Sequence, residues 1–117
     1  MNLKEIVDFY YMSFDKGSLP YICCEACGNK FYYPRSLCPK CHSKQLRLCT
    51  STGKGVIFSY TRINRKEGQL IYAIIEMNEG FRMYSNVEGK NVDIGNEVQV
   101  YFSEARGRNY PFFRLLG

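Results

Sequence analysis

Apolar residues recur every three or four positions near the start of this chain and roughly every second position over much of the rest. The first pattern covers residues 3–14, where the apolar residues at helical spacing are Leu3, Ile6, Val7, Tyr10 and Phe14. This spacing predicts a short amphipathic helix, which Gly17 and Pro20 then end. Because its apolar face is rich in aromatic rings, the helix packs either on its own domain or on a ligand or second subunit.

From residue 54 onward the pattern is that of short β-strands. Five segments are dominated by β-branched and aromatic residues: GVIFSYTRI, LIYAIIEM, FRMYSNVEG, EVQVYF and YPFFRLL. Glycines fall between these segments or at their starts and place turns there. We therefore expect a small five-stranded Greek-key barrel of the oligonucleotide/oligosaccharide-binding type, an OB-fold.

Aromatic residues are frequent in these predicted strands. The ones that could stack on nucleic-acid bases are Phe58, Tyr60, Tyr72, Phe81, Tyr84, Tyr101 and Phe102. Side chains alternate between the two faces of a strand, so we expect about half of these rings to fill the barrel interior.

Between the helix and the barrel, residues 21–49 contain all six cysteines. Cys24 and Cys27 form one C-x2-C pair, and Cys38 and Cys41 form a second pair after a ten-residue spacer. Two such pairs can converge on one tetrahedral metal ion with bonds of about 2.3 Å. We therefore predict a ribbon in which these four cysteines bind structural zinc. The same ligand set also binds iron, as in rubredoxin.

Three other residues of the segment compete for roles at this site. Cys23 would give an x3 spacing to Cys27 without the tight turn, so Cys24 is the predicted ligand. His42 could replace a cysteine ligand, although four well-spaced cysteines favour a solvent-facing histidine. Cys49 lies in an alternating apolar segment and is predicted to be a buried free thiol. Four sulfurs close the metal shell, which disfavours catalytic zinc, and a single histidine beside the metal disfavours a cysteine nucleophile with a histidine base.

Composition limits the remaining possibilities. The formal charge is +5, and four thiolates with one Zn²⁺ would reduce it to about +3, a mild basic bias. The chain has no apolar run long enough to span a bilayer, and its N-terminus does not resemble a secretory signal, so we expect a cytoplasmic protein without a membrane span. In that compartment thiols stay reduced, which favours metal binding over disulfides.

The order of motifs resembles the DUF35 family. The segments that carry the resemblance are GSLPYICCEACG, YPRSLCPKC, GKGVIFSYT, YAIIEMNEGFRMYSNV and IGNEVQVYF. The resemblance covers nearly the whole chain and implies an N-terminal helix (residues 1–20), a rubredoxin-like zinc ribbon (21–50) and an OB-fold barrel (51–117). The fold expected is therefore mainly β.

The resemblance also implies a function beside acyl-CoA enzymes. Family members act as non-catalytic accessory subunits of thiolases, HMG-CoA synthase-like acyltransferases or hotdog-fold hydratases, which leaves open a role in binding or channelling the CoA thioester. Candidate residues for its phosphates are Arg35, Arg62 and Arg82, although no spacing singles them out. The alternative is a single-stranded nucleic-acid-binding protein. Glutamates that interleave the basic residues weaken this alternative, because they interrupt a phosphate-binding groove.

Overall fold

The computed structural model describes residues 1–116, which form one helix and eight strands. The helix, α1, spans Leu3–Asp15. The strands are β1 Leu19–Cys24, β2 Lys30–Phe31, β3 Leu46–Ser51, β4 Lys54–Arg65, β5 Gly68–Met77, β6 Arg82–Glu88, β7 Glu97–Ala105 and β8 Arg108–Leu115.

Helix α1 has well-defined ends. Asn2 and Glu5 form a capping box, in which each side chain accepts a hydrogen bond from the other residue's backbone N–H. At the other end the Ser18 N–H donates to the Ser13 carbonyl at 2.8 Å, and Gly17 adopts a φ of 75°. This arrangement closes the helix in the way that favours glycine. Within residues 1–116, no helix is long and apolar enough to cross a membrane.

The aromatic face of α1 packs on its own chain. Tyr10 and Phe14 are buried, and Phe9 and Tyr11 pack against the core while partly exposed. The Tyr10 hydroxyl donates to the Tyr32 carbonyl in the ribbon. Burial is the main reason that the pKa of this hydroxyl is raised, which keeps it a neutral donor.

The ribbon is a three-stranded antiparallel sheet in the order β2-β1-β3. All six residues of the central strand β1 are buried. Pro20 is tolerated there because β2 pairs with β1 only at Ile22 and Cys23, so its missing N–H removes no bond between strands.

The last five strands form a closed barrel in the order β4-β5-β6-β8-β7. All pairs are antiparallel except β6 with β8, which meet in parallel at Val87 and Glu88. Gly55 is needed in β4 because a Cβ at this position would lie only 2.6 Å from the Glu76 carbonyl oxygen of the neighbouring strand β5. The arrangement confirms the predicted mainly β fold with an N-terminal helix and a five-stranded barrel.

The barrel interior differs from the prediction about aromatic rings. Of the seven aromatic residues named above, only Phe81 is buried, while Tyr60 and Phe102 are partly buried and pack against the core. The interior is instead filled mainly by aliphatic residues and one other ring: Ile57, Ile71, Ala73, Ile75, Met77, Met83, Val87, Val98 and Phe113. A barrel of five strands has little interior room, so compact side chains fill it and most rings lie on its outside.

Ribbon and barrel meet at the turn between β5 and β6. Tyr21 of the ribbon stacks on Phe81 with ring centroids 4.8 Å apart. Beside them the Glu79 carboxylate accepts hydrogen bonds from the Ser51 hydroxyl at 2.7 Å and the Thr52 N–H at 2.8 Å. The ribbon is therefore held against the barrel by an apolar contact from β1 and by polar contacts from the end of β3.

Candidate metal centre and exposed surfaces

The two C-x2-C pairs lie on two loops of equivalent geometry. In the first, the Gly28 N–H donates to the Cys24 carbonyl at 2.8 Å, and in the second, the His42 N–H donates to the Cys38 carbonyl at 2.8 Å. Gly28 and His42 both have positive φ, at 80° and 64°. His42 thus occupies the turn position that glycine occupies in the other loop, and its side chain is exposed.

The structure brings together the four sulfurs that the spacing singled out. All four Sγ atoms, of Cys24, Cys27, Cys38 and Cys41, lie within 4.8 Å of one another. The Cys24–Cys41 and Cys27–Cys38 Sγ separations are 3.6 and 3.7 Å. Four sulfurs about 2.3 Å from a tetrahedral metal lie about 3.8 Å apart, whereas a disulfide needs about 2.05 Å. The group therefore fits a metal ion and holds no disulfide.

Hydrogen-bond donors surround one of these sulfurs. The Lys40 N–H donates to Cys38 Sγ at 3.4 Å, and the Asn29 side-chain amide approaches it at 3.8 Å. Burial acts to raise the pKa of the Cys38 thiol, but N–H groups of Cys41 and Lys40 outweigh it and lower the pKa to about 6. Donors of this kind favour the thiolate, which is the form that binds metal.

The remaining cysteines stay outside the group. Cys23 is buried on β1 and Cys49 is half-buried on β3, where it packs against the core. Within the 116 residues described, the four-cysteine group is the only cluster of three or more cysteine, histidine or carboxylate side chains with the geometry of a metal site. Four sulfurs are enough to complete the tetrahedral shell of one metal ion, which would leave no open position for substrate or water.

The three candidate arginines lie in three separate places. Arg35 lines a groove with Leu3 and Leu37, between the start of α1 and the ribbon. Arg62 and Arg82 are near opposite ends of the barrel wall, since Arg62 pairs in register with Ile71 and Arg82 with Glu76 of the same strand. The structure therefore does not bring them together around a single phosphate.

Exposed aromatic rings form a row across the outside of the molecule. We call Tyr33, Tyr84, Tyr72 and Phe58 the aromatic row; each is between 44% and 50% exposed. Tyr72 and Tyr84 lie nearly parallel at 8° with centroids 6.0 Å apart, and the Tyr33 ring is 6.3 Å from Tyr84. Phe58 is linked to these rings only through Arg82, which precedes Tyr84 by two residues on β6: the Arg82 guanidinium carbon lies 3.8 Å from the centroid of the Phe58 ring.

Most of the barrel surface around this row is uncharged. The outward positions of β4, β5 and β6 near the row include Thr61, Ile63, Leu70, Ile74 and Asn86. Charged outward residues lie nearer the strand ends: Arg65, Glu88 and the exposed Arg82–Glu76 ion pair at 3.7 Å. The alternation of side chains along each strand identified which residues share a face. It did not show which face points into the barrel and which points to solvent. The row also depends on Tyr33, which comes from the ribbon and which no local pattern connects to β6.

Parts of this sequence are similar to those of known proteins. Residues 14–47 match the family model described as ChsH2, rubredoxin-like zinc ribbon domain. A DUF35 domain-containing scaffold protein of Methanothermobacter thermautotrophicus is 34% identical over 93 residues, which cover 71% of this chain and 70% of that protein. A protein of the same description from Methanocaldococcus jannaschii is 29% identical over 89 residues, 68% of this chain and 63% of the relative.

Two solved structures share the fold. A chain of the structure titled Ltp2-ChsH2(DUF35) aldolase superposes with a TM-score of 0.79 at 25% identity, covering 92% of each chain. A DUF35-family protein of unknown function from Sulfolobus solfataricus superposes with a TM-score of 0.71 at 19% identity, covering 93% of this chain and 84% of the other. Both superpositions cover more than nine tenths of this chain.

Proposed function

Because the chain belongs to the DUF35 family, we propose that it is a non-catalytic accessory scaffold that binds and bridges acyl-CoA-processing enzymes. The observation that carries the proposal is the similarity to curated DUF35 scaffold proteins over about seventy per cent of the chain. A structural neighbour that is titled as an aldolase containing a DUF35 chain supports a place beside an enzyme. The partners proposed are thiolase-fold or HMG-CoA synthase-like acyltransferases, or a hotdog-fold hydratase.

The four-cysteine group has a structural part in this proposal. Cys24, Cys27, Cys38 and Cys41 would bind one zinc ion, whose chemistry there is to cross-link the two loops rather than to activate a substrate. Sulfur separations of 3.6 and 3.7 Å support this assignment. By fixing both loops, the metal would hold the adjoining segment that carries Tyr33 and thus one end of the aromatic row.

The aromatic row and its neutral surroundings are the proposed contact surface for the enzyme. Tyrosine, phenylalanine and arginine are enriched at the energetically important positions of protein interfaces, whereas lysine and glutamate are depleted there. Arg82 fits this composition because it is already held over Phe58 and beside Glu76. A partner with a neutral, apolar surface matches the row better than a polyanion does.

The experiment is purification of the tagged chain from its native host after nuclease treatment and a moderate salt wash. Mass spectrometry should find a thiolase-, acyltransferase- or hydratase-type enzyme in a near-stoichiometric amount. Tyr72→Ser combined with Tyr84→Ser should reduce its recovery at least about tenfold, since central interface tyrosines each contribute about 2 kcal/mol or more. Ile94→Ser is the matched control, because Ile94 is 63% exposed on another loop. Absence of any such enzyme from the wild-type preparation would contradict the proposal.

A second candidate function is binding of single-stranded nucleic acid, which the nearly parallel rings of Tyr72 and Tyr84 favour. The charge around the rings argues against it, because Arg82 is paired with Glu76 and the neighbouring outward positions are neutral. Association with ribosomal or polymerase components that nuclease abolishes would replace the scaffold proposal with this one.

A further inference from the structure

Strand β4 continues well past the point where its neighbour in the barrel ends. It spans Lys54–Arg65, yet β7 pairs with it only at its first three residues. Ile57 makes the last backbone hydrogen bonds on that side, to the loop before β7, and a β-bulge follows that redirects the strand. Among the residues that the structure describes, no backbone–backbone hydrogen bond joins residues 58–65 to any strand other than β5. We call residues 58–65 the free edge.

The backbone groups of the free edge alternate in direction. A two-residue turn joins β4 to β5, so the pair that closes it, Arg65 and Gly68, exchanges backbone hydrogen bonds. Counting back from this pair by alternate residues, the N–H and C=O groups of Tyr60, Arg62 and Asn64 point away from β5. All three residues are at least partly exposed. The free edge therefore offers donors and acceptors with the spacing of a β-ladder.

The free edge lacks several of the features that prevent strand addition. Proteins protect exposed edges with prolines, very short strands, bulges or charged side chains. Residues 58–65 contain no proline, and the bulge lies at their start, so the rest of the segment is regular and long enough for several ladder bonds. Of these protections, only charged side chains remain along most of its length.

The charge at the free edge is positive. Arg62, Arg65 and Lys66 lie on it or in the adjoining turn, together with one carboxylate, that of Glu67. In the described part of the chain, none of the three cations has a carboxylate oxygen within ion-pair distance. Pairing with a second copy along this edge would bring like charges together, which is unfavourable across a ladder. A strand that carries carboxylates would place opposite charges beside them.

From this arrangement we infer that the free edge binds an extended, acidic polypeptide segment as an additional β-strand. Backbone hydrogen bonds would supply affinity, and carboxylates facing the arginines would supply specificity. A nucleic acid would also meet the cations, but it lacks the alternating donors and acceptors of a peptide backbone. The inference goes beyond the scaffold role, because it adds a second surface with a different preference: the aromatic row suits a neutral, apolar partner.

The test is an NMR titration of the zinc-loaded chain with a synthetic peptide of alternating threonine and glutamate, matched in length to the free edge. The amides of Tyr60, Arg62 and Asn64 should shift saturably and exchange their hydrogens more slowly. A peptide with lysine in place of glutamate should not bind. The glutamate peptide with a methyl group on every backbone nitrogen should bind at least about tenfold more weakly, because it cannot donate ladder bonds.

Two variants locate the site. Asn64→Pro removes an outward N–H that makes no bond to β5, and it should weaken binding at least about tenfold. Slow hydrogen exchange at the Ile63 and Leu70 amides checks that β4 and β5 stay paired in this variant. Arg65→Gln changes only an exposed side chain and should weaken binding about two- to fivefold, as expected for one cross-strand charge pair. Lys44→Gln, an exposed charge on the ribbon, is the control and should change nothing.

Several results would overturn the inference: no saturable binding of the glutamate peptide, equal binding of the lysine or methylated peptide, or full binding by Asn64→Pro with its strands still paired. Tighter binding of a thymidine oligonucleotide at the same amides would replace the peptide with nucleic acid, and dimerisation through them would replace it with a second copy. No enzyme is present in the titration, so its failure and the failure to recover an enzyme with the tagged chain are separate outcomes.

Discussion

The ribbon and the barrel of this protein are stabilised in different ways. The barrel closes on itself and buries a continuous set of aliphatic side chains, among them Ile57, Ile75 and Val98 at 1% exposure or less. The ribbon has one fully buried strand, a second strand of only two residues and two loops that converge on four sulfurs. Apolar burial is therefore sufficient for the barrel, whereas the ribbon loops depend on a cross-link.

The ribbon and the barrel should therefore unfold for different reasons. Units of about thirty residues bury too little surface to fold unaided, and metal binding then supplies folding free energy directly. The four-cysteine group lies outside the barrel, so we expect barrel folding to depend less on metal. We expect the two regions to respond separately to substitutions, with the junction around Glu79 limiting how far each effect spreads.

The largest effect should come from Cys27→Ser. Cys27 is exposed, so the change removes a sulfur with little loss of packing. It should remove most of the zinc and much of the free energy that zinc gives such sites, about 10–16 kcal/mol. Bound zinc measured by mass spectrometry should fall from one per chain to nearly none, and limited proteolysis should cut within residues 25–45. The barrel strands should keep their circular-dichroism signal.

Cys49→Ser is the control for that experiment, because Cys49 is a free thiol outside the four-sulfur group. It should retain one zinc per chain. Retention of tightly bound zinc and an unchanged melting temperature in Cys27→Ser would contradict the four-cysteine assignment.

Ile75→Ala tests the opposite region. Ile75 is fully buried in the barrel, and its truncation leaves a cavity that costs about 2–5 kcal/mol. Urea denaturation should show this loss, while the zinc content of the folded protein stays at one per chain. Simultaneous loss of zinc under native conditions would mean that the ribbon cannot hold its metal without an intact barrel. The separation proposed above would then be wrong.

Glu79→Gln tests the junction and should have the smallest effect. Burial acts to raise the pKa of the Glu79 carboxyl, but hydrogen bonds from the Thr52 N–H and the Ser51 hydroxyl outweigh it and hold the pKa below its ordinary value of 4.5. A lowered pKa stabilises the folded state above pH 4.5, and this contribution is lost as the pH falls through the lowered value. At neutral pH the substitution should cost about 1 kcal/mol, discounted because the group is partly exposed.

The measurement is the difference in unfolding free energy between wild type and Glu79→Gln at pH 7 and at pH values below 4.5. The difference should shrink as the pH falls. Glu67→Gln, an exposed carboxylate in the β4–β5 turn, should show little change at either pH. A difference that grows on acidification would show that the carboxylate does not stabilise the junction.

Local patterns in the sequence were sufficient for the helix, for the barrel strands and for the cysteines that meet. Helix 3–14 was predicted and α1 spans Leu3–Asp15; each of the five predicted barrel segments overlaps one of β4 to β8. The spacing of Cys24, Cys27, Cys38 and Cys41 also selected the sulfurs that meet. These features are predictable because they depend on neighbours within a few residues, such as a helical period or the reach of a tight turn.

Features that depend on distant partners were not predictable in this way. A β-bulge between Ile57 and Ser59 shifts the register of β4, and Phe58 lies exposed at the bulge. Beyond the bulge the alternation resumes in a new phase, which places Arg62 on the same side of the sheet as the buried Ile71. The positions of Tyr60 and Arg62 on β4 follow from this shift, and the bulge itself is defined only by pairing with β5.

The hydrogen bond between Tyr33 and Tyr84 also bears on solubility. Strand β6 pairs with β8 only at Val87 and Glu88, and on that side the Tyr84 N–H donates to the Tyr33 hydroxyl at 3.0 Å instead of to a neighbouring strand. The ribbon therefore covers the part of β6 that β8 leaves unpaired within the closed barrel, and unpaired strand segments recruit strands from other chains. Metal-depleted protein, with its ribbon loosened, should self-associate through β6, so that zinc supply would control aggregation as well as folding.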